Sequence, residues 1–343
     1  MFTILVVGRN DGFGLNLAKR TAISLNYFAS LCEDEDDEII YVDCNTVEGE
    51  VTLTESIFDT LTPEARKRIK TYRISGEQMY RAIGQTPMPF SDELSRNVGI
   101  RRSNPKNTWI LSTNCDLILS PINGSLNNVL RDLKPQFYLC PRRGIPYEHW
   151  GMFNRMDVDS ISKVCDAIAI SGMRFPPEAV HPWQRFGSIG DFQLAPRSQW
   201  IEIGGCEEGM SLWGHSDVNN ARRLSILNNY TRTPDLGGQI LLYHLDHNIK
   251  KTVSANADVV PHNDPKRWVE DVTDYHSSNP LNWGLNGEDL PSPSLTDAEV
   301  LMHNGKALLA SHKRARRTLP ALKLKIANAF SHLASRFFDR LKV

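Results

Sequence analysis

Polar side chains with metal-binding or acid–base chemistry follow several predicted strands at the point where each strand ends. Asp43 closes one apolar run, Asn114 and Asp116 follow a second, and His244 and His247 end a third. Open α/β sheets bind ligands outside the carboxyl ends of their strands, so these residues are candidates for one site. A strand-end carboxylate together with phosphate oxygens and water is the shell that Mg²⁺ or Mn²⁺ prefers.

Each of these signals also has a structural interpretation when it is taken alone. An Asp or Asn directly after a buried strand is common in turns, because its side chain hydrogen-bonds the nearby backbone. A single histidine at a strand end is usually structural as well. Two histidines beside Asp246 make metal ligation credible, with His244 the first choice and His247 the second.

The elements that must position these residues follow a strand–helix–strand pattern. Residues 2–7 and 38–43 are apolar runs typical of strands buried on both faces, and 15–31 between them has apolar residues at helical spacing. Such a βαβ unit implies a parallel pair of strands. Further strands are predicted at 108–112, 136–140 and 240–247, and helices at 63–70, 76–83, 91–101 and 218–227.

Bulk properties exclude several classes of protein. The 343 residues are 41% hydrophobic and 23% charged, as in ordinary globular proteins, and the net charge of −1 argues against a general nucleic-acid binder. Six scattered cysteines without a paired motif suit a reducing compartment. Apolar residues 1–8 read as a strand and not as a signal peptide. Gly8, Gly12 and Gly14 lack the spacing of a dinucleotide-binding fingerprint.

Three stretches of the chain resemble motifs of inverting glycosyltransferases of the GT-A fold, in particular family 2-like enzymes. Residues 95–100 (Ser-Arg-Asn-Val-Gly-Ile) resemble the helix that precedes the metal motif of that family. Residues 109–116 take the place of its strand and Asp-x-Asp, with Asn114 in the first Asp position. Residues 190–217 resemble its acceptor-side segment, which ends in Trp-Gly-Gly-Glu-Asp; here His215-Ser216 replaces Gly-Glu.

The resemblance implies a GT-A fold, an α/β fold with a Rossmann-like mixed central sheet flanked by helices. It implies a catalytic base at Asp217, which could also cap the helix that follows. It also implies a Mg²⁺ or Mn²⁺ ion held by Asp116 with His244 and His247. The implied ligands of a nucleotide-sugar donor are Asp11, Asp43, Asn97, Asn114, Asp116 and Arg142, and those of the acceptor are Asp191, Trp213 and His215.

Two other functions remain open from the sequence. A nucleotidyltransferase would share a similar sheet, although no Gly-rich phosphate loop bearing Arg or Lys follows the first strand. A sugar-nucleotide-binding protein without transfer activity would need Asp116 or Asp217 to be dispensable.

Composition divides the chain into a catalytic domain at 1–275, a linker or loop at 276–305 and a tail at 306–343. The tail holds ten basic residues and one acid, a charge of +9, so the remaining 305 residues carry −10. Its apolar residues recur at steps of three and four, which predicts a basic amphipathic helix. Such a helix favours an anionic membrane surface or a partner protein. The setting this predicts is a bacterial cytoplasmic enzyme, peripheral on the inner face of the cell membrane, that builds a surface glycan such as O-antigen or capsule.

Overall fold

The computed structural model describes residues 1–171, 181, 183–184, 186–247 and 261–293. Within these ranges the strands are β1 Phe2–Gly8, β2 Glu38–Cys44, β3 Ile69–Ile74, β4 Trp109–Thr113, β5 Leu117–Pro121, β6 Tyr138–Leu139, β7 Arg142–Ile145, β8 Ile170–Ser171, β9 Phe192–Pro196 and β10 Ile240–Leu245. The α-helices are α1 Leu17–Ser30, α2 Leu53–Ser56, α3 Pro63–Arg68, α4 Gly76–Ile83, α5 Asp92–Arg102, α6 Leu126–Arg131, α7 Val158–Ile168, α8 Arg197–Glu202 and α9 Ser216–Leu227.

The larger sheet has six strands in the order β3-β2-β1-β4-β9-β6. The first four are parallel, and β9 runs antiparallel to both β4 and β6. The chain adds β2 and β3 on one side of β1 and then crosses to place β4 on the other side. In open α/β sheets this arrangement places the ligand-binding crevice at the carboxyl ends of the strands, here those of β1 and β4. The predicted α/β class with a mixed central sheet flanked by helices is confirmed.

A second sheet has four strands in the order β5-β10-β7-β8. Strand β5 begins only three residues after β4 ends, so the connection 114–116 carries the chain from one sheet to the other. Strand β10 pairs antiparallel with β5 and parallel with β7. In this register His244 lies opposite Leu117 on one side and Gly144 on the other, which brings it beside the connection.

Helices cover both faces of the larger sheet because its central strands are apolar on both sides. Phe2, Ile4 and Val6 pack in the same cluster as residues of α1, whereas Leu5 and Val7 pack with residues of α5. Helix α5 approaches β1 closely at a glycine: a Cβ at Gly99 would lie 2.1 Å from Leu5 Cδ1. The sequence of α5 therefore fixes how near it can lie to the strand that borders the crevice.

Several predicted boundaries shift in the structure. Strand β6 spans only Tyr138–Leu139 where the sequence predicts 136–140, because only these two residues pair with β9. Helix α9 begins at Ser216, so Asp217 lies in the first turn and the residue before the helix is His215. Strand β10 ends at Leu245, which leaves His247 in the connection that follows.

Residues 277–293 pack against the domain although they form neither an α-helix nor a strand. Trp283, Leu285 and Leu290 are buried in the cluster that contains α5. The boundaries at 275 and 305 stay predictions, and the predicted tail at 306–343 lies outside the described residues. Among the helices of the described ranges, none has the length and apolarity needed to cross a membrane.

Candidate functional site

A cluster of one carboxylate and two imidazoles lies where the two sheets meet. Asp116 Oδ2 is 3.1 Å from His247 Nε2 and 3.6 Å from His244 Nε2, and the three candidate ligand atoms lie within 4.8 Å of one another. All three side chains are at most 10% exposed. The structure therefore brings together the three residues that the sequence predicts as metal ligands.

The elements of the fold explain this convergence. Asp116 ends the connection between β4 and β5, and the N–H of Leu245 on β10 donates to the Asp116 carbonyl at 2.9 Å. The loop after β1 closes the third side, because a Cβ at Gly14 would lie 2.8 Å from His247 Nδ1. Only glycine at position 14, where φ is +70°, lets this loop lie so near the histidine.

Charges around the cluster favour an ionised carboxylate. Burial alone would raise the pKa of Asp116, but His244, His247 and Arg20 together hold that pKa well below its usual range. Arg20 donates from Nη1 to Asp116 Oδ2 at 2.5 Å and is itself buried. Burial would lower the pKa of His244, yet Asp116 and Asp246 raise it on balance. Asp116 is therefore ionised at neutral pH, which is the form that binds a cation.

The donor set fits a divalent cation such as Mn²⁺ or Mg²⁺. Two imidazole nitrogens and a carboxylate oxygen are ordinary ligands of such ions, and imidazole suits transition metals better than Mg²⁺. His244 Nδ1 lies 2.7 Å from Asp246 Oδ1, so this hydrogen bond leaves Nε2 free to face Asp116. An outer carboxylate of this kind orients a histidine ligand and makes it more basic.

A hydrogen-bonded chain links Asn114, two positions before Asp116, to the turn Ile189–Asp191. Asn114 donates from Nδ2 to Asp191 Oδ1 at 2.8 Å, and Asn114 Oδ1 accepts from Arg96 at 2.9 Å. Arg142 donates to the second oxygen of Asp191 at 2.5 Å. The amide of Asn114 is therefore held from both sides, and its oxygen is bonded to Arg96. Asp191, predicted to bind the acceptor, lies beside the metal motif with both oxygens bonded.

Asp217 lies at the other end of this turn. Its Oδ2 accepts from the Gly190 N–H at 3.1 Å and its Oδ1 from the Val218 N–H at 2.9 Å. Burial raises the pKa of Asp217, although these two hydrogen bonds act to lower it. The adjacent residues Gly190 and Asp191 thus couple the predicted base to the predicted metal motif.

The carboxyl ends of β1 and β2 hold the two predicted base or ribose ligands. Asp43 is fully buried, and its Oδ1 has no hydrogen-bond partner in the described part of the chain. Asp11 is exposed in the loop after β1, where its Oδ1 accepts from the Phe13 N–H. The two side chains lie at the same edge of the sheet as the cluster of Asp116, His244 and His247.

The remaining predicted site residues fall into two groups. Trp213 is 42% exposed, and His215 lies just before α9 with a left-handed φ of 69°. Asn97, predicted to bind the nucleotide sugar, is buried and bonded to the backbone of Cys206 and to Glu208 Oε1. The structure does not bring Asn97 to the cluster, and its contacts give no support to that predicted role.

Two residues at the site were not predicted from the sequence. Arg20 reaches Asp116 from α1, and Arg96 fixes the amide of Asn114 from α5. Arg20 lies 96 positions from its partner, so no local pattern could have indicated the pair. Arg96 belongs to the 95–100 motif, which directed attention to Asn97 instead.

Neither a family model nor a curated protein matches this chain. The solved structures that it resembles include GalNAc-T7 with UDP, GalNAc and Mn²⁺, at 9% identity and a TM-score of 0.47 over 84% of this chain and 56% of that one. S. aureus TarS in complex with UDP is similar at 12% identity and a TM-score of 0.43 over 71% of this chain and 60% of that one. The galactosyltransferase LgtC with donor and acceptor sugar analogs is similar at 11% identity and a TM-score of 0.32 over 58% of this chain and 59% of that one.

This chain thus covers less than two thirds of the length of each of these three structures. They include glycosyltransferases, the class of enzyme that the sequence motifs resemble. Each TM-score is below 0.5, so the likenesses do not determine what this chain binds or transfers.

Proposed function

We propose that this chain is a metal-dependent inverting glycosyltransferase that moves a sugar from a nucleotide-sugar donor to a hydroxyl group of a glycan or glycolipid acceptor. The observation that carries the proposal is the junction of the two sheets, where Asp116, His244 and His247 converge. A half-buried carboxylate, Asp217, is joined to this cluster through a single turn. A cation site and a positioned base are the two parts that this reaction needs.

The donor would lie along the carboxyl ends of β2, β1 and β4. Asp43 offers a buried acceptor oxygen to an N–H of the base or a ribose hydroxyl, and Asp11 offers a second carboxylate from the adjoining loop. Arg142 is 29% exposed while bonded to Asp191, so its guanidinium can also meet an anionic group of the donor. A Mg²⁺ or Mn²⁺ ion held by Asp116, His244 and His247 would offset the negative charge of the leaving diphosphate.

Asp217 would act as the general base of the transfer. Its carboxylate takes the proton of the acceptor hydroxyl while that oxygen forms a bond to the anomeric carbon of the donor. The bond from this carbon to the diphosphate oxygen breaks, and its electron pair leaves with the nucleoside diphosphate. A base whose pKa is raised by burial holds the proton better during this step.

The test is transfer from a panel of UDP, GDP and dTDP sugars to simple glycoside acceptors, with and without EDTA. We expect Asp217→Asn to lower kcat by about 10²–10⁴-fold with donor affinity unchanged, because the amide keeps the shape but cannot take a proton. Asp132→Asn, an exposed carboxylate after α6, is the matched control and should be silent.

Four results would contradict the proposal. Full transfer in excess EDTA would show that the reaction needs no metal. Full transfer by Asp217→Asn would show that Asp217 is not the base. Donor binding without any turnover would favour a sugar-nucleotide-binding protein. Release of pyrophosphate from a nucleoside triphosphate would favour a nucleotidyltransferase, the other function that the fold class accommodates.

We further propose that the enzyme works in bacterial surface polysaccharide synthesis at the cytoplasmic face of the membrane. The support for this setting is the +9 charge of residues 306–343 and their apolar periodicity. Deletion of 314–343 should release the protein from anionic vesicles of phosphatidylglycerol and spare transfer to a soluble acceptor. Vesicle binding by the truncated protein would refute membrane docking, and a changed oligomeric state would indicate that the tail packs on protein.

A further inference from the structure

The loop that leads into α9 contains a residue with a side chain, His215, in a backbone conformation that favours glycine. Gly214 and the following His215 both have left-handed dihedrals, with φ of 79° and 69°. A residue with a side chain in this region costs roughly 1–2 kcal/mol. The loop also carries Trp213, which is exposed only four positions before Asp217. A conformation of this kind persists only where its surroundings hold it.

Asn263 supplies that support from a segment distant in sequence. Its Nδ2 donates to the carbonyl of Leu212 at 2.8 Å and to the carbonyl of Gly214 at 2.9 Å, and its Oδ1 accepts from the Leu212 N–H at 3.3 Å. Both hydrogens of the amide are therefore used. The Gly214 carbonyl belongs to the peptide that joins the two left-handed residues, so this bond fixes the turn itself.

Backbone hydrogen bonds complete the contact. The Asn263 N–H donates to the Trp213 carbonyl at 3.0 Å, and the Trp213 N–H donates to the Pro261 carbonyl at 3.2 Å. Asn263 is only 2% exposed, so water does not compete for its amide. Five hydrogen bonds thus hold three consecutive loop residues while the indole of Trp213 stays open to solvent.

We propose that Asn263 is a positioning residue for acceptor binding, which fixes the backbone that carries Trp213, four positions before Asp217. This inference rests on the proposed function, because it takes the acceptor to be a sugar with an apolar ring face. An aromatic residue whose backbone is already fixed loses less freedom when a sugar stacks on its ring, so the support of the loop contributes to affinity.

The sharpest variant is Asn263→Asp, which has nearly the same shape. Its carboxylate still accepts from the Leu212 N–H but turns its second oxygen toward two carbonyl oxygens. The matched control is Asn107→Asp at the opposite edge of the sheet. Asn107 is buried to the same degree, at 1% exposed, and its amide donates to the carbonyls of Phe2 and Asp36. This control therefore suffers the same kind of repulsion away from the site.

Loop order is measured without any reaction. The fluorescence of Trp213 is obtained by subtracting the fluorescence of the Trp213→Phe derivative from that of each protein. Its quenching by acrylamide is then measured. We expect faster Trp213 quenching in Asn263→Asp than in wild type and no change in Asn107→Asp. Equal quenching in all three proteins would overturn the positioning role, whatever the enzyme turns out to transfer.

The kinetic measurement uses p-nitrophenyl β-galactoside and p-nitrophenyl β-glucoside as acceptors for the full-length enzyme. We expect Asn263→Asp to raise the acceptor KM by about 10-fold or more, with the donor KM and donor hydrolysis within about 2-fold. Lower pH should restore part of the affinity, because the introduced carboxyl group, once protonated, can again donate to one carbonyl. A loosened loop with an unchanged acceptor KM would overturn the role in acceptor binding, and transfer by no protein at all would count against the proposed function.

Discussion

At the scale of single residues, the carboxyl group of Asp43 is buried at a cost to folding. Its Oδ2 accepts from the Leu53 N–H, and its Oδ1 is buried with no partner in the described ranges. Burial raises the pKa of Asp43 to about 6, although the nearby Thr46 hydroxyl and the Leu53 N–H act against this. A carboxylate whose pKa is raised in the folded protein destabilises the fold as pH rises through that interval.

Asp43→Asn should therefore stabilise the apoprotein at neutral pH while it weakens nucleotide binding. The carboxyl is neutral in both folded and unfolded chains below about pH 4, so the variant gains nothing there. Between about pH 4 and 6 the cost of ionisation grows to roughly 3 kcal/mol, about 1.4 kcal/mol for each pKa unit. Urea denaturation of both proteins at pH 4 and pH 8 measures this, and a difference that does not change with pH would contradict it.

The absence of a side chain at Gly190 lets the backbone lie close to Asp217. A Cβ there would lie 2.9 Å from Asp217 Cβ and 3.1 Å from Asp217 Oδ2. Gly190→Ala should displace the base and lower kcat by about 10–100-fold with donor affinity unchanged. Gly187→Ala is the control, because a Cβ there meets nothing within 4 Å. In the Asp217→Asn background Gly190→Ala should cost nothing more, and additive losses would show that it acts elsewhere.

The sequence could indicate the metal cluster because strand ends converge by topology. Asp116 and His244 each lie at a predicted strand boundary, and parallel or adjacent strands bring such boundaries to one edge. The contacts of Asn97 with the backbone of Cys206 could not be predicted, since the motif at 95–100 carries no information on the distant loop that packs against it. Asn263 was equally hidden, because its partners lie about 50 positions away.

At the scale of elements, the segment 277–293, whose composition predicts a linker or surface loop, packs on the core. Arg102 on α5 donates to the carbonyls of Gly284, Leu285 and Glu288 at 2.8–3.0 Å. The neighbouring Arg101 lies over the ring of Trp283 at 3.7 Å. Side chains of one helix thus replace the ladder that the segment lacks, which explains how a loop-like composition can be packed on a core.

Arg102→Met should destabilise the fold by about 2–4 kcal/mol, because it keeps the length of the side chain but leaves three carbonyls without their donor. Arg81→Met is the control: Arg81 also reaches this segment, through Glu288, but it is 54% exposed. An exposed ion pair contributes less than about 1 kcal/mol. Equal losses of unfolding free energy in urea for the two variants would show that the segment is held by its apolar contacts alone.

At the scale of the whole molecule, the two sheets meet at the buried cluster of Asp116, His244 and His247. The main sheet ends in the connection that carries Asp116, and the second sheet carries His244 on β10. A cation bound by both would tie the sheets together and would bind only the folded chain. Ligands of this kind stabilise a fold according to their concentration above Kd.

Mn²⁺ should therefore raise the thermal midpoint of the full-length protein, and EDTA should reverse the rise. At 100 times Kd the stabilisation is about 2.7 kcal/mol, which corresponds to a shift of a few degrees. Asp116→Asn and His244→Ala should each abolish the shift, because each removes one of three ligands. His276→Ala is the control, since His276 pairs with the exposed Asp274 at 2.9 Å and should leave the shift unchanged. A Mn²⁺ shift that survives in Asp116→Asn would place the cation away from the junction of the two sheets.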